Sequence, residues 1–171
     1  MSNIKYWVGF NLIPGIGQVR FSQLLKHFGD LENAWHADSA ELGAAGLDNR
    51  TVQAILARRS KIQLDAEMEK LEHYKVKALT QDDPSFPPRL KEIYDAPPVL
   101  YLRGTLAPED EWSLAVVGTR RATMYGREVT ERLVTDLVRN KITIVSGLAR
   151  GIDTVAHRAA LATGGRTIAV F

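Results

Sequence analysis

Two short stretches in the last third of the chain hold residue types suited to binding a phosphate. The first, Val117-Gly118-Thr119-Arg120-Arg121-Ala122-Thr123-Met124-Tyr125-Gly126, follows a β-branched apolar run and opens a helical pattern. The second, Ser146-Gly147-Leu148-Ala149-Arg150-Gly151-Ile152-Asp153, has the same setting. Open α/β sheets bind phosphate-bearing ligands at the carboxyl ends of strands, where helix N-termini add free N–H donors. Gly118 permits a tight turn, Thr119 offers a hydroxyl and Arg120 a charged fork. Gly147 and Gly151 permit close backbone approach, and the Ser146 hydroxyl can reach a phosphate oxygen. Neither stretch has the spacing of a dinucleotide GxGxxG loop or a GxxxxGK[ST] loop. Spacing alone equally allows the first stretch to be an ordinary strand-to-helix turn with a surface arginine. Asp153 reads as the cap of the following helix. His157 reads as a packing or capping residue, because one histidine without neighbouring ligands makes a poor metal site.

The elements needed to place these loops are legible after Trp112. Leu114–Val117, Ile142–Val145 and Thr167–Phe171 are short apolar runs that suit parallel strands buried on both faces. Between them, Arg127–Arg139 carries Val129, Leu133, Leu137 and Val138 at helical spacing, and Ile152–Ala162 is alanine-rich and stops at Gly164-Gly165. The order is β-α-β-α-β. Doubly wound sheets usually have five or six strands, so a chain ending at Phe171 in its third strand is expected to be part of a longer one.

Upstream, residues 1–74 predict a small all-helical domain of four or five short helices. The breaks are Pro14-Gly15-Ile16-Gly17, Phe28-Gly29-Asp30 and Gly43–Asp48. A long helix is predicted over Asn49–Tyr74, whose interior has neither Gly nor Pro. Leu12-Ile13-Pro14-Gly15-Ile16-Gly17 is a helix-hairpin-helix pattern, in which glycines let a turn approach DNA. With only Gln18, Arg20 and Lys26 as polar or basic helpers nearby, a purely structural, sterile-alpha-motif-like (SAM-like) module is the favoured reading. Tyr6, Trp7 and Trp35 read as core or interdomain packing. Residues 75–112, with prolines at 84, 87, 88, 97, 98 and 108, read as a connector containing short strands at Val76–Leu79 and Val99–Leu102.

Composition narrows the function class. The 171 residues are 45% hydrophobic and 25% charged and include no cysteine, which excludes disulfides, thiol nucleophiles and Cys-based zinc sites. No apolar run approaches the roughly 18 residues of a membrane span, and the start lacks secretory features, so a cytoplasmic protein is expected. Residues 1–112 hold 13 Lys+Arg against 16 Asp+Glu, and residues 113–171 hold 9 against 4, so the basic excess lies with the two glycine loops. Eight of those nine cations are arginine, which grips phosphate oxygens two at a time. No nucleophile–base pair, carboxylate dyad or metal cluster is apparent, so neither catalysis nor a cofactor is expected.

Together these residues carry a family resemblance. Gly118-Thr119-Arg120, Tyr125-Gly126, Ser146–Asp153, Ala156-His157-Arg158 and Gly164-Gly165-Arg166-Thr167-Ile168-Ala169-Val170 closely resemble the DprA/Smf family of DNA-processing proteins. So do Phe86-Pro87, Leu90, Pro97–Tyr101 and Arg103-Gly104 in the connector. The resemblance implies an α/β protein: a helix-hairpin-helix or SAM-like domain followed by an incomplete Rossmann-like parallel sheet over 113–171. It also implies binding of single-stranded DNA, protection of incoming strands during natural transformation, delivery to the RecA recombinase, and a homodimer formed through regions after residue 171. On that model Arg120 contacts a phosphate. Gly118, Thr119, Ser146, Gly147, Ala149 and Gly151 line the same pocket, with Arg121 and Arg150 as neighbours. Two alternatives stay open: a Rossmann-like nucleotide phosphoribohydrolase, whose PGGxGT-type segment this chain lacks, and a mononucleotide-binding regulator.

Overall fold

The computed structural model describes residues 4–171, so the first three positions of the expected helical domain lie outside the described residues. The chain divides into two compact units between Thr105 and Leu106.

In the first unit, α1 (Ile4–Asn11), α2 (Gln18–Phe28), α3 (Leu31–His36), α4 (Ser39–Ala44), α5 (Asn49–Arg59) and α6 (Leu64–His73) enclose an aromatic core. Phe10 and Phe21 are fully buried, and Trp35 meets Phe10 edge-on at 5.1 Å while Trp7 stacks on Phe21 at 5.4 Å. Tyr6, Trp7 and Trp35 therefore pack within this core. Asp30, Asp38 and Asp48 cap α3, α4 and α5 by accepting backbone N–H bonds, which starts each short helix where the sequence turns.

The helix predicted over Asn49–Tyr74 is instead two helices, α5 and α6, and the break comes from tertiary contacts. Arg59 donates to the carbonyls of Trp35 and Ala37 at 2.8 and 2.6 Å, anchoring the end of α5 beside the end of α3. Ile62 and Leu64 then turn onto the core, with Leu64 against Gly9 of α1. A straight helix would carry them away from it.

Strand β1 (Val76–Leu79) pairs antiparallel with β2 (Leu100–Arg103), with α7 (Pro88–Lys91) between them. Leu79, Phe86, Ala96 and Val99 are buried. Up to Thr105 the proline-rich segment thus belongs to the first unit. Its last residues, including the 3-10 turn Pro108–Glu111, belong to the second.

The second unit is β3 (Ser113–Ala115), α8 (Met124–Arg139), β4 (Thr143–Ser146), α9 (Ile152–Ala162) and β5 (Thr167–Ala169), a parallel sheet in the order β3-β4-β5. Its core joins Val134 and Val138 of α8 to Ile144 of β4 and Ala156, Ala159 and Ala160 of α9. The expectation that all three strands are buried on both faces fails. Only central β4 is largely buried, and all three residues of β3 are exposed. Helix α8 also starts three residues earlier than predicted, because Thr123 caps it by accepting the Gly126 N–H at 3.1 Å. Leu133 points outward, and Thr130, Val134 and Val138 form the buried stripe. Glu109, Asp110 and Glu111 fall in the second unit, which therefore holds 9 Lys+Arg against 7 Asp+Glu. Among the described residues no helix is long and apolar enough to cross a membrane.

Candidate functional site

Both predicted loops lie at the carboxyl ends of strands β3 and β4, and they are locked together through their backbones. The Thr119 carbonyl accepts the Ile152 N–H at 3.2 Å, while its hydroxyl accepts the Arg121 N–H at 3.1 Å and turns the first loop. Gly151 has φ +87°, and a Cβ there would collide with the Thr119 carbonyl and approach Arg120 Cα to 2.8 Å. Both the left-handed backbone and the contact require glycine. At Gly118 a Cβ would lie 2.7 Å from the Ile152 side chain, so this glycine lets the first loop sit against the start of α9.

The second loop is tied down from within. Asp153, 6% exposed, accepts from the amides of Gly147 and Ala149 at 3.2 and 3.4 Å, and the Thr154 hydroxyl donates to the Ala149 carbonyl at 2.7 Å. Asp153 does not cap α9 as expected. The cap position is Gly151 without a side-chain bond, and the Asp153 carboxylate turns back onto the loop. Between the two bonded amides Leu148 has φ +54° and projects its side chain to solvent. A branched side chain in that backbone region carries a small strain that the surrounding bonds hold in place.

Of the predicted site residues, Arg120, Arg121, Gly147, Ala149 and Arg150 line one open pocket of about 590 Å³. The three arginines are exposed, and no described residue bonds or pairs with their guanidinium groups. Gly118, Thr119 and Gly151, expected to line the same pocket, are not among its lining residues and instead make the close contact between the two loops. Ser146 does not present its hydroxyl as expected. It is buried and donates to the Val116 carbonyl at 2.6 Å, using its one proton to join β4 to the end of β3. His157 packs between α9 and the sheet. The Thr167 hydroxyl donates to the Ile144 carbonyl at 2.9 Å, so it accepts from His157 Nδ1 at 2.7 Å, which assigns the proton to Nδ1. Sequence reasoning missed the tie made by Asp153, since an acid in the first helical turn gives the same signal whether it caps or reaches back. It also missed Tyr125, 76% exposed at the start of α8, because exposure of an aromatic is set by packing.

The N-terminal hairpin is built differently. Ile13 and Ile16 are buried, and Arg20 donates to the Gly15 carbonyl and, at 3.1 Å, to Asp48. Hydrogen bonds from the Thr51 hydroxyl and amide, and then Arg20, hold the Asp48 carboxyl well below the usual carboxylate range. The groove beside the hairpin is lined by Asp48 and Asp95 as well as Gln18 and Arg20. The Arg20 guanidinium is committed to Gly15 and Asp48, and two acids line the groove, a lining that disfavours a phosphate.

A model of the family described as DNA recombination-mediator protein A matches residues 77–171. The chain belongs to the DprA/Smf family. It is 38% identical to Protein Smf of Synechocystis over 174 residues, covering 99% of this chain and 44% of that protein. It is 48% identical to DNA processing protein DprA of Streptococcus pneumoniae over 88 residues, covering 52% of this chain and 31% of that one. The X-ray structure of the Streptococcus pneumoniae DprA matches with a TM-score of 0.72 and 32% identity over 99% of this chain and 58% of that one. This DprA/Smf chain therefore spans less than half the length of those two curated relatives. The structural match fixes the fold class: helices followed by a parallel, Rossmann-like α/β sheet.

Proposed function

We propose that this DprA/Smf chain contributes part of a surface that holds single-stranded DNA by its phosphates, without doing chemistry on it. One observation carries the reading: three guanidiniums without a partner among the described residues, Arg120, Arg121 and Arg150, line one pocket at the carboxyl ends of β3 and β4. Arginine forks suit phosphodiester oxygens, and an open pocket rimmed by exposed side chains suits a continuous strand better than an enclosed small molecule. Tyr125, on the helix that follows the first loop, offers a ring face on which a base can stack. The names of the relatives and of the family, DNA processing protein DprA and DNA recombination-mediator protein A among them, support a DNA-processing role in recombination. In the whole protein this surface protects incoming strands in the cytoplasm and passes them to RecA, with a homodimer made through parts beyond this chain.

The test is binding of labelled oligo-dT across a salt series, with Arg120→Ala alongside. Removing one arginine–phosphate interaction should weaken binding and flatten the slope of log K against log salt by about 0.7 to 1. An unchanged slope, or hydrolysis of a nucleoside monophosphate with no affinity for single strands, would sink the reading.

A further inference from the structure

The second loop contains a buried anion of its own. Asp153 is 6% exposed, no cation among the described residues pairs with it, and its Oδ2 accepts from the amides of Gly147 and Ala149. A buried carboxylate without a counter-ion is costly unless hydrogen bonds and favourable dipoles replace water. Here two amides and the first turn of the eleven-residue helix α9 do so. The amide of Ile152, the first helical residue, is also taken, by the Thr119 carbonyl. Three donors that a phosphate-cradling loop would turn toward its ligand are thus spent inside the protein, while the guanidiniums of Arg120, Arg121 and Arg150 stay unspent.

We propose that Asp153 is a positioning residue whose carboxylate fills the amide nest of the second loop, so that the pocket takes diester phosphates of a strand through its arginines and discriminates against mononucleotides. The inference deepens the reading of the pocket as a single-strand surface and rests on it. A terminal phosphate carries more charge and needs several converging amides to replace its water. A diester phosphate needs only one or two forks and gains from repetition along the chain. Filling the nest with a resident carboxylate therefore favours the second ligand. It also holds Ala149 and Arg150 in place without help from the ligand.

The experiment is anion rescue. In Asp153→Ala the nest is empty, and acetate can take the place of the missing carboxylate. At constant ionic strength, replacing chloride by acetate should raise the melting temperature of the variant and recover most of an about tenfold loss in oligo-dT affinity, with the wild type indifferent. Wild type should bind dTMP at least about a hundredfold more weakly than oligo-dT, and Asp153→Ala should narrow that gap. Acetate acting no better than chloride, or wild type binding dTMP as tightly as oligo-dT, would overturn the proposal. Should Asp153→Ala fail to fold, hydrogen exchange on the wild type decides instead. Amide protons of Gly147 and Ala149 should exchange more slowly than that of Leu148, and equal rates would overturn it. The melting arm reads the carboxylate's seat without DNA. Wild type that ignores oligo-dT altogether would instead defeat the single-strand reading, and the selectivity claim with it.

Discussion

Asp110 and Arg166 meet fork to fork, with Nε to Oδ1 and Nη2 to Oδ2 both at 2.7 Å. The pair joins the 3-10 turn ahead of β3 to the residue before β5, across 56 positions of sequence. Asp110 also accepts the Ala107 amide at 2.8 Å and the Thr143 hydroxyl at 2.9 Å, so one carboxylate gathers the edges of all three strands. Arg166 foremost, followed by those two bonds, lowers the Asp110 carboxyl to about 2 against the opposing effect of burial.

The acid side of the stability curve follows from that lowered value. A carboxyl depressed in the folded state adds stability above its unfolded value near 4, and the gain is lost as pH falls through about 2. Asp110→Asn should remove this part of the acid dependence and, at neutral pH, destabilise the second unit by about 2 kcal/mol. Melting curves at pH 7, 4 and 2.5 check it. Parallel loss in wild type and variant between pH 4 and 2.5 would contradict the assignment.

Ser146→Ala removes the bond to the Val116 carbonyl and leaves that acceptor without its hydroxyl donor. Stability should fall by about 1 kcal/mol while oligo-dT affinity changes less than twofold, because the hydroxyl points between strands. Urea titration and fluorescence anisotropy measure the two effects separately. A large affinity loss at unchanged stability would return Ser146 to the pocket.

Gly151→Ala combines a left-handed backbone with a collision against the Thr119 carbonyl. We expect a loss of about 2 to 4 kcal/mol, larger than for an ordinary glycine-to-alanine change at positive φ, because either loop must move. Accelerated hydrogen exchange at Arg121 and Ile152 should accompany it. A loss under about 1 kcal/mol would show that the two loops are not locked.

Tyr125→Ala should weaken oligo-dT binding by about 1 to 3 kcal/mol without altering the salt slope, since stacking releases no counter-ions. Arg20→Ala should leave both affinity and slope unchanged, because its donors already serve Gly15 and Asp48. A slope change in Arg20→Ala would assign the N-terminal hairpin to the DNA surface.

The sequence by itself determined the order of elements in the second unit and the position of both loops. β-branched runs, helical periodicity and glycine punctuation are local signals, and local backbone preference decides them. It also set the family, through a long run of spaced residues that survives whatever packs around it. Tertiary structure alone decided which polar groups remain available. Ser146 and Arg120 are equally eligible in sequence, yet one hydroxyl is spent on Val116 and the guanidinium is left open. Asp153 looks like a helix cap until its carboxylate is seen on Gly147 and Ala149, and Asn49–Tyr74 looks like one helix until Arg59 is anchored on α3. In each case the deciding partner lies outside the segment, on a different element or back along the chain, where periodicity and propensity carry no information.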